Sequence, residues 1–236
     1  MNGLLVRVGA DLSQGGGSWN GPVNEATGEF VYVAIPENSP IHAGMEKPYS
    51  TLTPKLARFG VRLPAHLQMR HMHLDPDFEH LTYGDHGERA RQLQANLGVG
   101  DLIAFYAGLA DAGGVARLVY ALIGLLVVKE FILAADIPAQ DRNINAHSRR
   151  VLALGAKDLI VRGQPAVSGR LTRCVPIGEY RDRAYRVRKF VLEEWGGISV
   201  RDGYLQRSAR LPRLLDPARF MHWLENQGTS LIQVNN

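Results

Sequence analysis

The sequence predicts an α+β fold: a mixed or mostly antiparallel sheet, partly barrel-like, with flanking helices. Two observations carry this. The most apolar stretches, LLVRV, GDLIAFYAGL and LVYALIGLLVV, have strand length, and two of them are separated by a glycine pair at hairpin spacing. The helical patterns between the strands do not alternate with them regularly, which excludes a doubly wound α/β sheet.

In chain order, LLVRV reads as a strand running into Gly9 and a glycine-rich loop from Asp11 to Pro22. FVYVAIP, residues 30–36, is a second strand closed by Pro36 and Pro40. Thr53-Pro54 opens a short helix that Gly60 ends, and residues 88–97 form another, stopped by Gly98. GDLIAFYAGL and residues 118–128 then pair as a hairpin around Gly113-Gly114. Residues 143–154 are expected to be helical, and residues 159–162 and 170–177 to be short strands. Asp216-Pro217 caps a last helix with Phe220, Met221 and Leu224 on one stripe and Gly228 at its end.

With 236 residues, 45% hydrophobic and 21% charged, the chain is expected to form one domain with a substantial core. The most apolar run reaches Lys129 after eleven residues, too short to cross a bilayer, and no secretory signal opens the chain. A single cysteine, Cys174, excludes an internal disulfide framework and fits a reducing, cytoplasmic setting; its alternating neighbourhood makes it a core thiol. Charge is uneven. Residues 151–236 hold 14 Lys and Arg against 8 Asp and Glu, whereas residues 1–150 hold 13 against 15. A basic C-terminal portion of the same domain points to a phosphate-bearing partner, and the short apolar run to no membrane.

The segment with most chemistry is HMHLDPDFEHLTYGD, residues 71–85. Five of the eight histidines fall between His66 and His86, among Asp75, Asp77, Glu79 and Asp85. If residues 71–77 are extended, a period of two places His71, His73, Asp75 and Asp77 on one face, a ligand set suited to a divalent metal. The spacing is similar to the metallo-β-lactamase motif. That motif continues with a histidine after the aspartate, where this chain has Pro76, which also interrupts a strand. The expectation is therefore a metal-free, cofactor-free polar site built on His73, Asp75 and Asp77, with Asp85 and Glu88 forming a capping box for the next helix.

Two other segments offer binding groups. Trp19, on the glycine-rich loop after Asp11, is a candidate stacking platform. QRSARLPR carries Gln206, suited to a base edge, and Arg207 and Arg210, suited to phosphate. RDRAYRVRK, residues 181–189, interleaves aromatic and basic residues without a defined motif.

RVGAD with its glycine-rich loop and Trp, FVYVAIPE, HLDPDFEHLTYGD, GDLIAFYAGL and QRSAR occur in an order that resembles the third nucleotide-modification-associated domain family, over residues 5 to about 210. The central hairpin also resembles an element of PUA-like β-barrels of the EVE, ASCH and YTH types. The family resemblance implies a role in making or recognising altered bases, with DNA the expected partner; the barrel resemblance implies a pocket for a modified or flipped-out base. Three readings follow. A reader would stack a base on Trp19, Tyr83 or Tyr106, accept hydrogen bonds at Asp11, Asp75 or Asp77, and hold phosphate with Arg207 and Arg210. An enzyme on a nucleotide or modified base would use Asp11, Asp75 or Asp77 as general base or nucleophile and His73 as acid. A scaffold would do neither.

Overall fold

A computed structural model of the chain describes residues 1–11, 19–114, 118–205 and 210–236. The strands are β1 (Gly3–Arg7), β2 (Pro22–Val23), β3 (Ile35–Pro36), β4 (Met72–His73), β5 (Thr82–Asp85), β6 (Leu102–Asp111), β7 (Leu118–Leu133), β8 (Leu159–Gly163), β9 (Gly169–Pro176), β10 (Gly178–Arg181), β11 (Ala184–Val187) and β12 (Leu231–Ile232). The α-helices are α1 (Thr53–Ala57), α2 (Gly87–Asn96), α3 (Ala146–Arg149), α4 (Lys189–Glu194) and α5 (Pro217–Glu225).

The central sheet is mixed. β1 runs parallel to β6, β6 antiparallel to β7, and the long β7 pairs with both β8 and β9, while β5 adds to β8. Register shifts in the β6–β7 and β7–β8 pairings mark the bulges that bend it. Among the described residues the pairings leave the sheet curved by these bulges and not closed into a barrel. The remaining fold class, α+β with a mixed sheet, is the observed one.

The apolar runs are continuous rather than alternating because the sheet is covered on both faces. Ile103, Phe105, Ala107 and Leu109 of β6 face one core, which includes Tyr32, Phe78 and Tyr83. Leu102, Ala104 and Tyr106 face the other, where Trp195 meets Phe220 and Trp223 edge-on at centroid distances of 4.9 and 5.3 Å. Buried Cys174 sits in the first core, where burial pushes its thiol up to about 12. No helix among the described residues is long and apolar enough to cross a membrane.

Three local expectations fail. Residues 30–36 form only a bridge at Phe30 and the two-residue β3, because their backbone bonds go to the β1 exit and to Pro22 instead of a regular ladder. Residues 143–154 are helical only at 143–144, the end of a 3-10 turn, and over α3, since the chain turns extended at Arg150 to bridge with Ile41. Asp85 does not cap α2: His86 holds the cap position with no side-chain bond, and Asp85 is engaged elsewhere. Asp216 does cap α5, accepting from Arg219 N at 3.0 Å.

Candidate functional site

A cavity of about 240 Å³ opens where the end of β1, the segment around β4, β5, the start of α2, and α3 meet. At the β1 exit, Gly9 adopts φ +84°, which only glycine tolerates easily, and the chain folds back so that Asp11 meets Arg7 at 2.7 Å. Both side chains are buried in the cavity wall. Among the described residues the buried Nε of Arg7 has no hydrogen-bond partner, while its Nη2 donates to Tyr120 Oη at 2.7 Å.

β4 delivers His73, and its register opposite Ile35 of β3 sets His73 beside Glu37. His73 Nδ1 lies 2.6 Å from Glu37 Oε2 and 3.1 Å from Arg150 Nη2. A nitrogen cannot donate to one and accept from the other, and the shorter contact to a carboxylate makes Nδ1 the protonated nitrogen. Burial alone would raise Glu37, but the bonds from His73 and Arg150 hold it at about 2. Burial pushes the His73 imidazole down to about 4, with Glu37 opposing.

Asp75 follows, before a cis peptide to Pro76. Its Oδ1 accepts from Gly84 N at 2.8 Å and Asn145 Nδ2 at 2.9 Å. Its Oδ2 faces His147 Nε2 at 3.9 Å. Burial lifts the carboxyl to about 7, against the charge of His147 and those two hydrogen bonds.

His147 is the group that the sequence does not announce. Asn145 caps α3 by accepting from His147 N at 2.8 Å, which ties the helix start to Asp75 through the same side-chain amide. His147 Nδ1 bonds Asp158 Oδ1 at 2.5 Å, and this bond holds Asp158 below the usual carboxylate range. Gly84 makes room for the ring. A Cβ there would stand 2.4 Å from His147 Cδ2, so this strand position accepts no side chain without moving the imidazole. One ligand-type atom from each of His73, Asp75 and His147 lies within 4.8 Å of the others, and His86, His147 and Asp158 form a second, more exposed set.

The rest of the wall is a polar clasp. Tyr83 Oη donates to Asp85 at 2.6 Å and accepts from Arg89 at 2.8 Å, while Arg89 Nε meets Asp85 at 2.7 Å. Burial drives the Tyr83 hydroxyl well above its usual pKa. This clasp is what withdraws Asp85 from capping.

Asp11, His73, Asp75 and Tyr83 of the expected residues therefore share one cavity. Asp77 does not: its buried carboxylate is paired with Arg149, Asn235 at 3.0 Å and His80 at 3.2 Å. The extended alternation stops after His73, so the period-two face does not reach it. Tyr106 lies in the second core, its hydroxyl donating to Leu205 O at 2.7 Å. Trp19 is half-buried against the first core. Neither lines the cavity. Gln206 and Arg207 lie outside the described residues.

Arg210 lines a second feature, an open groove of about 940 Å³ with Arg186, Arg201 and Arg213. Glu88, Gln92 and Asn96 of α2 form its near wall, whereas Arg89 of the same helix lines the cavity. One helix separates the two.

The family described as nucleotide modification associated domain 3 matches residues 2–211, a span that holds the whole cavity and Arg210. The chain belongs to that family. Membership associates it with nucleotide modification, and so with nucleic acid or nucleotide. No curated protein and no solved structure matches it.

Proposed function

We propose that the cavity admits a single base or nucleotide, that the His73–Asp75–His147 cluster is the centre of chemistry on it, and that the arginine groove across α2 carries the sugar–phosphate chain. The observation that supports this is convergence. Four segments far apart in sequence, around residues 7–11, 73–75, 83–89 and 147–150, meet at one small polar cavity. Its volume lies just below the usual range for small-molecule sites, about 300 Å³ upward, which suits one base and excludes a dinucleotide.

A purely stacking reader is the weaker reading, since neither Trp19 nor Tyr106 lines the cavity and the Tyr83 ring is packed on Phe105 at 5.2 Å. Most of the lining residues carry charged or polar side chains instead. Each histidine has one nitrogen fixed by a carboxylate, the arrangement that orients a ring for work at its other nitrogen. The groove supplies the sequence-independent part, because arginine forks fit phosphate oxygens bidentately.

The test is fluorescence anisotropy with free nucleoside monophosphates and labelled single- and double-stranded oligonucleotides carrying a panel of base modifications, at physiological salt. One modified base should bind at least tenfold more tightly than its unmodified counterpart. Arg201→Ala with Arg213→Ala should weaken all oligonucleotides alike and leave mononucleotides unaffected. Equal affinity across the panel would remove base selection at this cavity.

A further inference from the structure

We infer that His73, Asp75 and His147 are the protein ligands of a single divalent transition-metal ion whose remaining coordination positions face the cavity. The inference rests on the nucleotide reading for what the ion acts on, and on the ligand set for where it sits.

The geometry is specific to each ligand. His147 Nδ1 is committed to Asp158 and His73 Nδ1 to Glu37, so in each ring Nε2 is the nitrogen left with a lone pair. Asp75 Oδ1 already accepts two hydrogen bonds, which leaves Oδ2 as the free acceptor. With both rings neutral and Asp75 ionised, three acceptors converge in a buried site. Lone pairs facing one another repel unless a cation lies between them. The outer partners complete the pattern of metal-bound histidines, whose second nitrogen donates to a carboxylate that fixes the tautomer and strengthens the ligand.

The spacing admits an ion. Two ligands at about 2.1 Å from a metal are at most about 4.2 Å apart. His147 Nε2 and Asp75 Oδ2, at 3.9 Å, already satisfy that limit. One ligand-type atom from each of the three residues lies within 4.8 Å of the others, and three ligands spread evenly at about 2.1 Å around an ion stand about 3.4–3.6 Å apart, so closure draws a pair together by up to about 1.4 Å. Two imidazoles and one carboxylate select a first-row transition ion over magnesium or calcium, which prefer all-oxygen shells. Three protein ligands leave at least one position for water or substrate, the arrangement of catalytic rather than structural sites.

In the chain, Pro76 occupies the place of the third histidine of the metallo-β-lactamase spacing. The structure supplies that histidine from 147, more than seventy residues downstream.

The experiment uses the full chain, stripped with EDTA and titrated with Co²⁺ under absorbance, then competed with Zn²⁺. One ion per chain is expected, with the visible bands of a low-symmetry nitrogen–oxygen site. His147→Ala and Asp75→Asn should each weaken Co²⁺ binding more than 100-fold. Asp158→Asn, acting through His147, should weaken it about 10- to 100-fold. His86→Ala should leave it unchanged. Circular dichroism of each variant separates lost ligation from lost fold. Failure of the folded wild-type chain to bind Co²⁺ or Zn²⁺ overturns the inference, as does binding that depends on His86 and not on His73. Nucleotide binding by the stripped chain is measured in parallel. Binding of nucleotide without metal removes the ion and keeps the cavity reading; metal without nucleotide does the reverse.

Discussion

Asp77→Ala tests whether the aspartate just beyond the cavity is structural. In the native chain its carboxylate is 1% exposed and pairs with the Arg149 guanidinium, itself 3% exposed. Removing it leaves a buried cation without a countercharge, which costs about 3–5 kcal/mol. Arg149 keeps its bonds to Asn143 O at 2.9 and 3.2 Å, which favours the lower part of that range, about 3–4 kcal/mol. For a chain of this length each kcal/mol corresponds to about 2–4 °C, so Tm should fall by about 6–16 °C. Differential scanning calorimetry and urea denaturation measure it, with an unchanged m-value showing that the unfolded state is unaffected. Replacing Arg149 by Met in the same chain should restore part of the loss, because an apolar pair of similar volume is tolerated where a lone charge is not. Stability within about 0.5 kcal/mol of wild type, combined with lost function, would refute this reasoning and return Asp77 to the chemistry.

Three further outcomes follow from the same contacts. Gly84→Ala should cost about 1–3 kcal/mol through overpacking and should weaken Co²⁺ binding by displacing His147; unaltered metal affinity would show that the ring has room to spare. Cys174 has its folded pKa raised from 9.0 to about 12, so its contribution to stability is full below pH 9 and lost as pH rises towards 12; urea denaturation across pH 8–11 should show that decline in wild type and a shallower one in Cys174→Ala. Removing Arg201 or Arg213 should lower the salt slope of oligonucleotide binding by about one per arginine that contacts phosphate, and an unchanged slope would take that residue out of the groove's function.

What the sequence makes legible is whatever a local pattern decides. The β6–β7 hairpin follows from two apolar runs around Gly113-Gly114, and α5 from Asp216-Pro217, because strand length, turn chemistry and capping act within a few residues. The β10–β11 hairpin reads only as an aromatic–basic run, since its turn is built on positive φ at Asp182 and Arg183 rather than at glycine. In the site, His73 and Asp75 stand out by their spacing. His147 and Asp158 do not: NINAHSRR looks like ordinary helix, and only the tertiary fold brings that ring onto Gly84. A glycine inside a strand was the available signal, marking close approach by something distant. Asp77 misleads for the opposite reason. Its alternation with Asp75 is real in sequence, but the chain leaves the strand after His73, and a buried arginine from α3 claims the carboxylate.

The central claim is that a base enters the cavity beside His73, Asp75 and His147. Photocrosslinking a single-stranded oligonucleotide carrying one 4-thiothymidine, followed by peptide mass spectrometry, tests it most directly. Adducts are expected within residues 73–86 or 147–150, lost on competition with the free nucleotide. Adducts confined to the arginine groove, with none in those two segments, would contradict it.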